Sequence, residues 1–167
     1  MSRLVLIGAP GAGKSTVGKA LSEKLNREFL DTDALIQDST GKNITDIFVV
    51  DGEEAFRAIE LKVLADVLNS ENTVISLGGG APISEQAQRL IADSQSLVIF
   101  LDVSLATAAP RVGFNRDRPL LLGNPRAQWQ ALSDKRRPIY ERLADVAIKV
   151  DEMDVDAIVT AIVKEAK

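Results

Sequence analysis

The stretch Gly8-Ala9-Pro10-Gly11-Ala12-Gly13-Lys14-Ser15-Thr16 restricts the folds open to this chain more than any other. It fits G-x-x-x-x-G-K-[ST], the pattern in which backbone N–H groups of a glycine-rich turn cradle nucleotide phosphates. The pattern carries chemistry only where a strand enters it and a helix leaves it. Leu4 to Ile7 is a short apolar run that reads as a buried strand, and Val17, Leu21 and Leu25 recur at helical spacing up to Asn26. A plain glycine turn would not account for the Lys and Ser that follow its last glycine. The stretch predicts a nucleoside triphosphate held by Gly11, Ala12, Gly13, Lys14, Ser15 and Thr16.

The rest of the chain alternates in the same way. Leu4–Ile7, Glu28–Leu30, Thr73–Leu77, Leu97–Leu101 and Val146–Lys149 read as strands, and Lys14–Leu25, Gly52–Asn69, Ser84–Asp93, Arg126–Ala144 and Val155–Ala166 as helices. Pro138 is expected to kink the fourth of these helices. Such alternation predicts an α/β fold with a parallel sheet covered on both faces. At 167 residues and 46% hydrophobic, the chain suits one well-filled core better than two.

No apolar run approaches a membrane span, and with no cysteine there is no disulfide framework, so a cytoplasmic protein without membrane attachment is the expectation. There is also no histidine, so a general base must be a carboxylate or a lysine. A net charge of −4 argues against a nucleic-acid surface. Basic residues nevertheless crowd between positions 111 and 142 (Arg111, Arg116, Arg118, Arg126, Lys135, Arg136, Arg137, Arg142), against only Asp117, Asp134 and Glu141. A local cationic patch on an acidic protein suits small anionic ligands.

Ligands of parallel sheets sit beyond the carboxyl ends of the strands, so the residues just past each strand should converge. After the second strand comes Asp31-Thr32-Asp33. Alternation along an extended segment would send both acids to one side; Asp33 could instead cap the helix that Ala34, Leu35 and Ile36 begin. Magnesium takes oxygen ligands, and Ser15 and Asp31 are the candidates. After the third strand comes Gly78-Gly79-Gly80-Ala81-Pro82, which by composition is equally a plain loop or one closely approached by a ligand. Between them the chain makes an excursion, with a helix stop at Gly41-Lys42-Asn43, a restart at Thr45 and a break at Asp51-Gly52. Arg57 and Glu60 lie one turn apart in the next helix: either a surface ion pair of little worth or an arginine held in place to grip a carboxylate. After the fourth strand, Asp102 and Ser104 open a helix ending near Pro110-Arg111, and Val112 to Asn124 reads as a long basic loop, the usual form of an active-site lid.

Taken as a set, these features resemble the shikimate kinase family over almost the whole chain. The similarity lies in Gly8–Thr16, Asp31-Thr32-Asp33, Asp46-Ile47-Phe48, Gly52-Glu53-Glu54-Ala55-Phe56-Arg57, Leu77-Gly78-Gly79-Gly80-Ala81, Arg118-Pro119-Leu120-Leu121 and Arg136-Arg137-Pro138-Ile139-Tyr140. The resemblance implies a three-layer P-loop fold like that of the nucleoside monophosphate kinases, with a five-stranded parallel sheet. In it, residues 1–167 form a single kinase domain with a substrate-binding excursion at about 33–60 and a lid at about 112–124. It implies ATP-dependent phosphorylation of the 3-hydroxyl of shikimate, with magnesium as cofactor, and a monomer. Carried over residue by residue, Lys14 would hold the transferring phosphoryl group, and Ser15 would ligate magnesium with help from Asp31. Asp33 would bind the ring hydroxyls and act as base, while Arg57 and Arg136 clamp the carboxylate and Glu60 steadies Arg57. Gly78, Gly79 and Gly80 would present backbone groups, with Phe48 and Phe56 packing nearby. Arg118 would reach the phosphates from the lid, and Arg111 would lie against the adenine. The other readings are a gluconate or nucleoside monophosphate kinase, which would not need both arginines beside a triple-glycine loop, and a nucleotide-dependent switch. The N-K-x-D base-recognition string usual in guanine-specific GTPases does not occur.

Overall fold

In the computed structural model, which describes residues 3–113 and 124–166, five strands form one parallel sheet in the order β2-β3-β1-β4-β5. The strands are β1 (Arg3–Ile7), β2 (Glu28–Asp31), β3 (Thr73–Ser76), β4 (Leu97–Asp102) and β5 (Val146–Lys149). Each lies within about a residue of its expected place, because a buried parallel strand is a continuous apolar run that the sequence displays openly. The helices are α1 (Lys14–Leu25), α2 (Thr32–Thr40), α3 (Ile44–Asp46), α4 (Glu53–Val67), α5 (Glu85–Asp93), α6 (Leu105–Val112), α7 (Pro125–Leu143) and α8 (Val155–Glu165), with a π-helical turn at Ile47–Asp51 between α3 and α4. The expected lid, with Arg116 and Arg118, lies outside the described residues apart from its ends.

Period-two alternation splits the core between the sheet's two faces. Leu4 and Leu6 join Ile99 and Leu101 on one face, where Val17 and Leu21 of α1 and Ile158, Val159 and Ile162 of α8 cover them. Val5 and Ile7 join Ile75, Val98 and Phe100 on the other, under Leu64 and Val67 of α4, Ile91 of α5 and Tyr140 of α7. Leu4, Leu6 and Ile7 are fully buried, and truncating one of them to Ala would cost about 2–5 kcal/mol. Ile36, Ile47 and Phe56 build a small core of their own, with Ile44, Phe48 and Ile59 packed against it, and this fixes the excursion as a platform beside the sheet.

Local chemistry sets most of the helix starts. Asp31, Asn43, Ser84, Ser104, Asn124 and Asp154 accept backbone N–H groups as caps of α2, α3, α5, α6, α7 and α8. The cap of α2 is therefore Asp31 and not Asp33, which sits in the first turn. The strand runs one residue further than expected and the helix starts at Thr32, so the two acids do not alternate along an extended segment. Similarly, α3 starts under Asn43 and not at Thr45, and Asp102 ends β4 while Ser104 alone opens α6. α7 continues through Pro138 to Leu143.

Candidate active site

β1 lies between β3 and β4; the chain leaves it for β2 on one side and later crosses from β3 to β4 on the other, and the phosphate loop leaves the carboxyl end of β1 at this switch point. Gly11 shows why the loop needs glycine. Its φ is +86°, and a Cβ there would lie 2.9 Å from Val112 Cγ2 and 3.0 Å from Ala108 Cβ, so α6 packs directly on the turn. Among the described α-helices only α1 begins with neither a side-chain cap nor an acidic residue in its first turn. Its leading N–H groups and the positive end of its dipole are left for an anion.

Lys14 opens that helix and is buried. Its Nζ donates to the Gly8 and Ala9 carbonyls at 2.7 and 3.1 Å. Burial lowers its pKa to about 8, against the upward pull of the Asp33 and Asp31 carboxylates, while Arg136 lowers it further. Both acids thus face the phosphate loop, as the sequence predicts, though by way of a helix start. Ser15 Oγ donates to Asp31 Oδ2 at 2.5 Å, and Asp31 Oδ1 accepts from the Asp33 and Ala34 amides at 3.0 and 3.3 Å. A hydroxyl beside a carboxylate is the oxygen donor set that suits magnesium, which keeps several waters and completes its shell with phosphates. Among the described residues no cluster of three or more His, Cys, Asp or Glu side chains could hold a metal by itself.

The triple glycine is a cleared floor. A Cβ on Gly78 would lie 2.6 Å from Asp33 Oδ1, one on Gly79 would lie 3.2 Å from Arg136 Nη1, and one on Gly80 would lie 2.5 Å from Arg57 Nη1. Each glycine leaves room for a different side chain of the chain itself. The loop is joined to the second strand's end by the Gly78 amide, which donates to Thr32 Oγ1 at 3.0 Å, and Thr32 is fully buried.

Arg57 and Glu60 are not a solvated surface pair. Arg57 Nη1 donates to Glu60 Oε1 at 2.7 Å, and Glu60 is only 4% exposed. Burial pushes the Glu60 pKa up, and the Arg57 charge and hydrogen bond hold it back. The guanidinium carbon lies 5.2 Å from the Phe56 ring centre and 5.7 Å from that of Phe48, and the two rings pack 4.5 Å apart. Asp33, Arg57, Glu60, Gly78, Gly79, Gly80 and Arg136 all line one cavity of about 700 Å³, along with Pro10, Phe48 and Phe56. Arg111 sits at the phosphate loop's other side, donating to the Gly11 carbonyl at 3.1 Å.

Two contacts were not foreseen. Trp129 Nε1 donates to the Pro10 carbonyl at 3.0 Å, and the Tyr140 hydroxyl donates to the Gly79 carbonyl at 2.6 Å. The chain has one Trp and one Tyr. Both are buried, and a buried indole or phenol needs a polar partner, which is the only signal the sequence offered.

Residues 10–167 match the family model described as shikimate kinase. The chain is 50% identical over 161 residues to the shikimate kinase of Thermobifida fusca (strain YX), covering 96% of this chain and 92% of that one. It is 41% identical over 162 residues to the shikimate kinase of Mycobacterium avium (strain 104), covering 96% and 91%. Among solved structures it is similar to the shikimate kinase of Acinetobacter baumannii in complex with shikimate, with a TM-score of 0.94, 31% identity, and coverage of 99% of this chain and 93% of the other. A deoxyadenosine kinase from M. mycoides with bound dATP, 20% identical with a TM-score of 0.65 and coverage of 98% of each chain, shares the fold.

Proposed function

The chain belongs to the shikimate kinase family, and we propose that it moves the terminal phosphoryl group of ATP to the 3-hydroxyl of shikimate, giving shikimate 3-phosphate and ADP on the route to chorismate. One observation carries the reading: a single cavity beside the phosphate loop is lined by Arg57, Arg136 and Asp33. A planar carboxylate matches the guanidinium fork, and two arginines fix orientation as well as affinity. Glu60 holds Arg57 in place, and Asp33 takes the ring hydroxyls.

In this scheme the substrate oxygen attacks phosphorus, the bond to the bridging oxygen of ADP breaks, and the hydroxyl proton passes to Asp33. No histidine competes for that proton. Phosphoryl transfer asks a protein mainly to position groups and offset charge. Lys14 leaves the Gly8 and Ala9 carbonyls for phosphate oxygens, and the loop from Gly11 with the first turn of α1, as far as Thr16, receives the remaining negative charge. Ser15 and Asp31 fit a magnesium ion, which when bound neutralises phosphate charge. Arg111 is assigned to the adenine side. The role of Arg118 stands on the family resemblance alone.

A monomeric, single-domain enzyme is proposed. No helix of the described residues is long and apolar enough to cross a membrane, and with no cysteine a cytoplasmic setting is proposed. The test is to incubate the protein with magnesium-ATP and shikimate and locate the new phosphorus by NMR. Coupling to the proton on carbon 3, with one ADP released per product, supports the reading. Phosphorylation at another hydroxyl, or none, overturns it.

A further inference from the structure

We propose that the Tyr140 hydroxyl is a positioning group for the acceptor's carboxylate, because it ties the Gly79–Gly80 peptide to α7, the helix that carries Arg136. The proposal rests on the shikimate reading and goes beyond it, since Tyr140 itself touches no reacting atom.

Arg136 and Tyr140 are four residues apart on α7 and so share a helix face. The phenol ring is only 1% exposed and packs against Phe100, with ring centres 5.2 Å apart at 36°, so the ring is held from behind. Its hydroxyl then has a fixed reach. It donates at 2.6 Å to the carbonyl of Gly79, a residue 61 positions away in sequence. Burial pushes the phenol's pKa up, and the nearby Arg136 charge draws it part of the way back. The hydroxyl thus donates to the loop against which the arginine lies. A Cβ on Gly79 would sit 3.2 Å from Arg136 Nη1, so the two elements meet closely at this point.

The peptide held in this way joins two glycines, which have the widest backbone freedom of any residues. In a trans peptide the carbonyl and the following N–H point in opposite directions. Anchoring the Gly79 carbonyl to α7 therefore aims the Gly80 N–H away from Tyr140. Gly78, Gly79 and Gly80 all line the acceptor cavity. Losing the hydroxyl would release the orientation of the peptide against which Arg136 lies, and would leave the phosphate loop and Lys14 as they are.

The test is Tyr140→Phe, which keeps the ring and its contact with Phe100. The expected result is a rise of about tenfold in the KM for shikimate, with the KM for ATP within about twofold and kcat within about threefold of the unaltered protein. Phe100→Leu is the control. It loosens the ring's seat but keeps the hydroxyl and its bond to Gly79, so it should lower the melting temperature and raise the shikimate KM by no more than about threefold, well short of the rise in Tyr140→Phe. An unmoved shikimate KM in Tyr140→Phe overturns the proposal. So does an equal rise in Phe100→Leu, or a rise in both KM values in step with a falling melting temperature, because these would reduce Tyr140 to packing. If the unaltered protein fails to phosphorylate shikimate, the functional reading itself falls; if it succeeds and Tyr140→Phe changes nothing, only the positioning role falls.

Discussion

Lys14 carries the sharpest electrostatic consequence of the site. Its ammonium is buried against two loop carbonyls with its pKa lowered from 10.5 to about 8, chiefly by burial. A group whose folded pKa lies below its unfolded value binds fewer protons in the folded state across that interval. Its contribution therefore opposes folding below about pH 8 and is relieved as pH rises toward 10.5. A nucleotide bound with its phosphates on Lys14, as proposed, would reverse the balance, because phosphate charge would stabilise the ammonium and lift the pKa again. At about pH 8.5, binding of magnesium-ADP should take up roughly three-quarters of a proton, and at about pH 6.5 almost none through this group. Calorimetry in buffers of different ionisation enthalpy reads this directly; binding at the higher pH without proton uptake would remove Lys14 from the phosphates. The residue itself was plain in the sequence, since a lysine after G-x-x-x-x-G has one recurrent use. Its altered acidity was not, because desolvation depends on what the fold stacks around it.

α7 acts as a brace. Trp129 near its start holds the phosphate loop at Pro10, Arg137 grips Asp102 at the end of β4 at 2.5 and 2.9 Å, and Tyr140 holds the glycine loop at Gly79. None of these partners is near in sequence, so helical periodicity showed only an apolar stripe with a basic cluster. The π-helical turn was equally hidden. Its closing bond, from the Gly52 amide to the Ile47 carbonyl at 3.1 Å, spans one residue more than an α-helical turn, and no residue pattern announces it. Helix starts were legible where a cap is a local matter, as at Ser84, and misread at Asp31, where strand length decides which acid caps. The brace makes the chain's sole tryptophan a reporter. Magnesium-ADP, by occupying the loop that accepts the indole N–H, should shift or quench Trp129 emission more than shikimate alone does. Emission that responds to shikimate but not to nucleotide would place the phosphates elsewhere.

Over the whole molecule, the parallel sheet brings the ends of β1, β2 and β3 side by side, and the segments leaving those ends become one site: the phosphate loop, Asp31 with Asp33, and the triple glycine. The excursion adds Arg57 beside its own small core, and α7, which covers the same face of the sheet as α4, adds Arg136. This convergence was legible because apolar runs fix the strands and parallel topology fixes which ends are shared. The side-chain wiring among those ends was not, since it depends on distances that only the assembled layers set. The central claim is that this pocket pairs a triphosphate grip with a seat for a small hydroxylated acid. It is tested most directly by ADP release from magnesium-ATP, measured as kcat/KM over a panel of shikimate, gluconate and nucleoside monophosphates. Shikimate should exceed every other acceptor by at least about a hundredfold, the discrimination expected when a built polar site is left unpaired by the wrong ligand. A nucleoside monophosphate or gluconate matching or surpassing shikimate would contradict it.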